Sequence, residues 1–183
     1  ARNDYGSVVG GNNFHALVLG DDNRIWATTG TGGYVLQINP ANASNYNYTD
    51  TGSAYFSDDI AYLGGYVFVG TETSPFSVYR ISASNISSYT SIAAGETEYY
   101  GVFNSSTYIW AAQADTPGVI RKMATNLTII ENISLPVDYN YANEILFDEA
   151  NAKVYVTCYM APARVVKYAW PSFIFYGVYD EDT

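Results

Sequence analysis

Ile109-Trp110-Ala111-Ala112, followed about ten residues on by Ile120-Arg121-Lys122-Met123, is the stretch whose recurrence decides how the chain is read. Ile25-Trp26-Ala27-Thr28 precedes Val35-Leu36-Gln37-Ile38. Val67-Phe68-Val69-Gly70 precedes Val78-Tyr79-Arg80-Ile81, and Val154-Tyr155-Val156-Thr157 precedes Val165-Val166-Lys167-Tyr168. The aromatic members fall at positions 26, 68, 110 and 155, a period of about 42 residues. Three of the four following runs place a cation at their third position. Short apolar strands at a fixed period mark a chain built from one repeated supersecondary unit.

Another strand precedes each aromatic run across a turn-rich break. Residues 15–19 come before Gly20-Asp21-Asp22-Asn23, and 60–63 before Gly64-Gly65; residues 99–103 come before Asn104-Ser105-Ser106, and 145–147 before Asp148-Glu149-Ala150-Asn151. Turn residues between β-rich runs read as hairpins. A fourth strand closes each unit over residues 45–51, 87–92, 127–135 and 173–179. No stretch shows helical periodicity between caps. The expectation is an all-β chain, a four-bladed β-propeller or four propeller-like blades of four antiparallel strands each. The repeats run over about 14–53, 54–95, 96–138 and 139–183, with 1–13 as an N-terminal extension.

The aromatic second strand and the apolar-x-Lys/Arg-apolar run after it, as in Val78-Tyr79-Arg80-Ile81 and Val165-Val166-Lys167-Tyr168, resemble the blades of the broad propeller superfamily that includes YVTN, NHL and lactonase-like repeats. The resemblance implies the architecture, which hosts hydrolases, lectins, scaffolds and adhesins alike. A closed ring of four blades is similar to the haemopexin type, which usually clamps its ends with a disulfide. The single cysteine, Cys158, cannot make one within the chain. Three arrangements stay open: closure by strand pairing alone, four blades of a longer chain, or a larger ring or fibre completed by other copies.

With 183 residues the chain can bury a core without disulfides or metals. Eight Lys and Arg against eighteen Asp and Glu give a net charge of -10, so neither nucleic acid nor an anionic membrane surface is an expected partner. Charged residues make up only 14%, against about 25% in typical soluble domains. Hydrophobic residues make up 48% and nineteen residues are Tyr, so solubility must come from Asn, Ser, Thr and Tyr or from something attached to them. The longest uncharged apolar run, 168–179, is broken by Pro171 and Ser172 and is shorter than the roughly 20 residues of a spanning helix. Membrane insertion is not expected. Cys158 reads as a small buried hydrophobe within a strand. His15 is the only histidine, and there is no Ser elbow or spaced His motif, so no catalytic residue is assigned and enzyme activity is not expected. The start at Ala1-Arg2-Asn3-Asp4-Tyr5, without Met or an apolar leader, reads as a processed, secreted chain.

Six Asn-x-Ser/Thr acceptors support an extracellular setting: Asn42, Asn47, Asn85, Asn104, Asn126 and Asn132. Asn42, Asn85 and Asn126 occupy the same turn of successive repeats, after the third strand, and Asn104 the turn between first and second strands. In a propeller both turn types emerge on one face, with Asn47 and Asn132 at the rim. Covalent N-glycans there would keep so uncharged a surface in solution. The alternative is that Asn and Ser are simply turn formers.

The opposite face is built by the inter-blade segments, which mix carboxylates with aromatics: Tyr55, Asp58 and Asp59; Glu98, Tyr99 and Tyr100; Tyr139, Tyr141 and Glu144. Tyr rings stack on sugars or apolar side chains while carboxylates accept hydroxyls or hold a cation. A carbohydrate or a cell-surface protein is the expected ligand class there. The lactonase-like resemblance implies a divalent metal held by carboxylates near the channel mouth, and Asp58, Glu98 and Glu144 are weak candidates for a structural calcium. No other cofactor is expected.

The two ends point to copies of the chain itself. Phe173, Ile174, Phe175, Tyr176, Val178 and Tyr179 form a last strand that is apolar on both faces, an association hazard unless covered. Tyr5, Val8 and Val9 have strand character outside the repeats and could supply the cover. Such a segment would close the ring if donated within the chain and link subunits if donated to a neighbour; alternatively it is a disordered terminus. The sequence reading is a secreted, N-glycosylated structural or adhesive protein that self-assembles into a filament or surface layer; the alternatives are an extracellular glycan- or peptide-binding propeller module and, third, a lactonase-like metal-dependent hydrolase.

Overall fold

The computed structural model describes residues 13–42, 45–52, 55–93, 97–159 and 163–179. Within them the chain forms four antiparallel four-stranded meanders, each the blade of a β-propeller. Blade 1 comprises β1 (Phe14–Leu19), β2 (Ile25–Thr29), β3 (Tyr34–Ile38) and β4 (Tyr46–Asp50). Blade 2 comprises β5 (Phe56–Leu63), β6 (Tyr66–Thr71), β7 (Ser77–Ser82) and β8 (Tyr89–Ala93). Blade 3 holds β9 (Tyr99–Asn104), β10 (Ile109–Gln113), β11 (Val119–Met123) and β12 (Ile129–Ser134). Blade 4 holds β13 (Ala142–Asp148), β14 (Lys153–Cys158), β15 (Arg164–Ala169) and β16 (Phe175–Tyr179). The Asp148 turn closes with a single 3-10 turn, Glu149–Asn151, whose Asn151 N–H is accepted by the Asp148 carboxylate. Among the described residues no helix is long and apolar enough to cross a membrane. The N-terminal extension, with Tyr5, Val8 and Val9, lies outside the described residues.

Alternation along the second strands sets the packing, because successive side chains leave opposite faces of a sheet. Trp26, Phe68 and Trp110 all point toward the next blade and are wholly buried. Val67 and Ile109, the neighbours of Phe68 and Trp110, and Val154 at the same position of blade 4 point back toward the preceding one. Trp26 and Val35 thus meet Phe56, Val67, Val69 and Ile81. Phe68 and Val78 meet Tyr99, Val102, Ile109 and Met123, and Trp110 and Ile120 meet Ile145, Val154, Val156 and Tyr168. Among the described residues the core is therefore three slabs between blades and a smaller buried cluster of Ala27, Leu36 and Ile38 on blade 1, rather than one centre. The third-strand polar position has a structural role in each slab. Gln37 Nε2 donates to Ala83 O at 2.9 Å, and an Arg80 guanidinium nitrogen donates to Thr125 O at 3.2 Å, each in the next blade. Lys122 Nζ lies 4.3 Å from the ring centre of Tyr108 and 5.4 Å from that of Trp110.

The blades form an open arc over the described residues. β1 packs on β5, β5 on β9 and β9 on β13, whereas no packing of that extent joins β13 back to β1. Close approach between blades also fixes Gly118, where an added Cβ would lie 2.6 Å from the backbone nitrogen of Ala142 and 3.0 Å from Leu135 Cδ1. Gly118→Ala should therefore cost about 1–3 kcal/mol. An urea-unfolding midpoint that falls at unchanged slope checks this.

Candidate functional site

Each inner strand loses register at the end that faces the inter-blade loops. The breaks fall between Phe14 and Leu17, Phe56 and Ile60, Tyr99 and Gly101, and Ala142 and Ile145. A bulge frees residues from the ladder and re-aims their side chains. The residues so freed include His15, Asp58, Asp59, Tyr100 and Glu144. The amide lost from the ladder is taken up by a second-strand threonine in the same repeat position of blades 1 and 4. Thr28 Oγ1 accepts the Ala16 N–H at 3.2 Å, and Thr157 Oγ1 accepts the Glu144 N–H at 3.0 Å. Backbone donors that leave a sheet need such a replacement.

His15 Nδ1 sits 3.1 Å from Asp58 Oδ1, and the Tyr55 hydroxyl 3.2 Å from His15 Nε2. The His15 and Tyr55 rings meet edge to face at 4.9 Å. The imidazole lies against bare backbone at Gly30, where a Cβ would come within 2.1 Å of Nε2. Beside this group Asp59 is pushed up to about 6, chiefly by burial and then by the Glu144 and Asp58 charges. Glu72 is pushed up to about 7, again by burial first and then by Asp58 and Glu98. Glu72 was missed in the sequence because it lies in the β6–β7 turn rather than an inter-blade segment. Its signal, a carboxylate among polar residues, is what any turn offers.

Two clefts open from this mouth. One of about 600 Å3 begins at Asp59 and Glu144 and runs over Phe103, Leu146, Tyr155 and Val165. The other, about 280 Å3, is lined by Phe76, Thr97, Glu98, Ala114 and Tyr141. Near the second, burial and the neighbouring, hydrogen-bonded Glu98 raise the Tyr100 hydroxyl above its ordinary range. The Tyr100 ring lies 5.9 Å from that of Tyr159. Tyr141 takes a left-handed φ of 57° and ties two loops: its N–H donates to Asp115 O and its carbonyl accepts from Tyr159 N–H, both at 3.0 Å. Tyr139 is held beneath the Arg164 guanidinium, 5.5 Å from its ring centre. The arrangement presents aromatic faces beside carboxylates, of which Glu72 is raised far enough to hold a proton part of the time at neutral pH, so it can both donate and accept hydrogen bonds.

Tyr99 does not belong to this surface. It is wholly buried between blades 2 and 3, because its position in β9 points inward where Tyr100 points out. Asp58, Glu98 and Glu144 are not gathered into a cage either. Among the described residues no three or more His, Cys, Asp or Glu side chains are placed to hold a metal ion. Cys158 is buried and its thiol is pushed up to about 11 by burial, so thiolate is scarce at neutral pH.

All six glycan acceptor residues are exposed. Asn42, Asn85 and Asn126 lie in the β3–β4, β7–β8 and β11–β12 turns, Asn104 ends β9, and Asn47 and Asn132 lie on β4 and β12. Asn85 and Asn126 also form their turns, their side-chain oxygens accepting the Ser87 and Thr128 N–H groups at 3.2 and 3.0 Å. The turn-forming and acceptor readings therefore apply to the same residues.

No family model and no curated protein sequence matches the chain. Solved structures do match in fold. Hydrazine synthase of Kuenenia stuttgartiensis superposes with a TM-score of 0.78 at 11% identity, covering 98% of this chain and 53% of that one. Virginiamycin B lyase from Staphylococcus aureus gives 0.76 at 15% identity, covering 93% and 56%. Dihydro-heme d1 dehydrogenase NirN gives 0.74 at 12%, covering 92% and 37%. The chain thus spans about half the length of the first two and less of the third. Identities this low show the propeller fold and leave activity to the site itself.

Proposed function

We propose that this is an extracellular, N-glycosylated structural or adhesive protein that associates with copies of itself into a filament or surface layer. The observation that carries the reading is where the apolar surface lies. Leu17 and Leu19 on blade 1 are 71% and 66% exposed, and Leu146, Ile174 and Tyr176 on blade 4 are 66%, 64% and 67% exposed. Apolar surface concentrated on the two end blades is what an assembling protein presents. Six exposed acceptors on a surface poor in charge support the glycoprotein part, since glycans would solvate what charge does not. No catalytic role is assigned to any residue.

The test is intact mass of the natively produced protein, before and after enzymatic removal of N-glycans, beside negative-stain microscopy of the same sample. A mass above 20.1 kDa that returns to that value on deglycosylation, with regular assemblies, is expected. An unmodified monomer at 20.1 kDa would remove the reading.

A second reading rests on the 280 Å3 cleft, whose Glu98 and Tyr141 suit a saccharide or a peptide of a cell-surface protein. If it holds, Tyr141→Ala abolishes binding on a glycan or peptide array while leaving the fold intact. Unchanged binding by that variant would sink it.

A further inference from the structure

The turn between β11 and β12 is anchored in the seam between blades 2 and 3. Leu127, the middle residue of the acceptor triplet Asn126-Leu127-Thr128, is 5% exposed and belongs to the slab that Phe68 and Val78 of blade 2 line. It takes a φ of 68°, a region that branched side chains rarely adopt. The turn is tied by the Leu127 N–H to Ala124 O at 2.9 Å and by the Ala124 N–H to Thr128 O at 3.0 Å. From blade 2 the Arg80 guanidinium donates to Thr125 O at 3.2 Å. A buried anchor and a hydrogen bond from the preceding blade thus hold the acceptor in one place against blade 2.

Asn126 and Thr128 stand exposed on either side of that anchor. Asn126 Oδ1 accepts the Thr128 N–H at 3.0 Å, which fixes the amide by its oxygen and leaves its nitrogen, the atom that glycosylation uses, as the other arm. Beside it a cleft of about 450 Å3 opens between the blades, lined by Arg80, Thr90 and Ile92 of blade 2 and by Asn126, Leu127 and Thr128 of blade 3. Thr90 is the partner of Arg80 across the β7–β8 ladder and Ile92 that of Val78, so both lie on the face of blade 2 turned toward blade 3. The walls suit a sugar ring. The Thr90 and Thr128 hydroxyls can donate to and accept from ring hydroxyls, and the guanidinium has donors beyond the one given to Thr125 O. Ile92 and Leu127 supply apolar surface for the C–H face of the ring.

We propose that the first sugar of an N-glycan on Asn126 seats in this cleft and clasps blade 3 to blade 2. The proposal rests on the glycoprotein reading above and gives one of its six acceptors a structural role. The covalent step joins Asn126 Nδ2 to the anomeric carbon of a sugar supplied as an activated glycosyl phosphate. The phosphate leaves with the electron pair of the broken C–O bond, and the amide gives up one proton. Once tethered, the sugar is held at the cleft at high effective concentration and adds its own hydrogen bonds across the seam.

Glycopeptide mass spectrometry of the natively produced protein, with thermal melts of the same sample, tests this. Asn126 is expected to be occupied. Complete removal of the N-glycans should lower the melting temperature by about 4 °C, as for two net hydrogen bonds lost at this chain length, and trimming back to the first sugar should leave it unchanged. Thr128→Ala removes the acceptor triplet but keeps Asn126 and the backbone N–H it binds, and this variant should show no such drop on deglycosylation. Asn132→Gln, on the exposed rim strand β12, should keep the full drop. Amide hydrogen exchange over β8 should quicken on deglycosylation of the wild type and not of the Thr128 variant. An occupied Asn126 with melting and exchange unchanged by complete removal would overturn the clasp and leave the glycoprotein reading standing, as would glycans on other acceptors and none on Asn126. A drop already complete on trimming to the first sugar, or one that survives in Thr128→Ala, would overturn the assignment to that sugar. Six unmodified acceptors would overturn both the proposal and the reading beneath it.

Discussion

Trp110→Ala should lower the melting temperature by about 10 °C, the largest single-residue effect expected in the molecule. The indole is wholly buried between blades 3 and 4. It stacks on Phe173 at 4.8 Å and meets Phe147 and Trp170 at 5.3 and 5.7 Å, so one side chain joins the end of blade 3 to two segments of blade 4. Its Nε1 donates to Ser105 Oγ at 3.2 Å, so truncation also removes one hydrogen bond from a buried hydroxyl that otherwise accepts the Tyr108 N–H. Loss of a buried Trp costs about 3–5 kcal/mol, and at this chain length each kcal/mol moves the midpoint by about 2–4 °C. Tyr176→Ala is the control. Tyr176 lies on the rim strand β16 and is 67% exposed, so its substitution should cost less than about 1 kcal/mol. Calorimetry on both variants decides the matter; equal losses would mean that burial between blades does not set the energy.

The second large effect is on pH. Stability should fall as the pH rises from about 4 to 7, the reverse of the usual behaviour of a protein held by carboxylate salt bridges. In the unfolded chain Asp59 and Glu72 titrate near 4, and in the folded protein they are pushed up to about 6 and about 7. The folded state therefore binds more protons across that window, and stability declines wherever the folded state is the one holding the extra protons. The contribution is fully present below the unfolded values and is lost as pH rises through the folded ones. Both groups are partly exposed, so the combined effect, discounted for solvent screening, is about 2 kcal/mol. A net charge of -10 adds self-repulsion in the same direction. Thermal melts from pH 4.5 to 8 should show a midpoint decreasing by several degrees and flattening above about 7.5. Asp59→Asn with Glu72→Gln should remove most of that slope. A midpoint that rises toward pH 8, or a slope unchanged in the double variant, would show that the mouth carboxylates do not carry the effect.

The repeat and the strand order were legible because period and alternation are local properties. Trp26, Phe68, Trp110 and Tyr155 announce the blades through spacing alone, and Gly64-Gly65 and Asn104-Ser105-Ser106 announce the turns between them. The polar third position was visible as a pattern, but its purpose was not, since Gln37 and Arg80 act on carbonyls that lie 46 and 45 residues away. The site was legible in composition and not in geometry. Asp58, Asp59 and Glu144 stand out as loop carboxylates, but the bulges that aim them arise from pairing with another strand, which a single strand's sequence does not encode. For the same reason Tyr99 and Tyr100 look alike in sequence and end on opposite sides of β9, one in the core and one at the mouth. By itself, the sequence determined an all-β propeller chain of four repeats, acidic and sparsely charged, with acceptor asparagines in its turns. Tertiary structure alone decided how each described blade packs on the next, which Tyr of the inter-blade segments is buried and which exposed, and that Asp59 and Glu72 have their proton affinity raised toward neutral pH. Those outcomes depend on distances between residues far apart in the chain, and only the packing of one blade on the next fixes such distances.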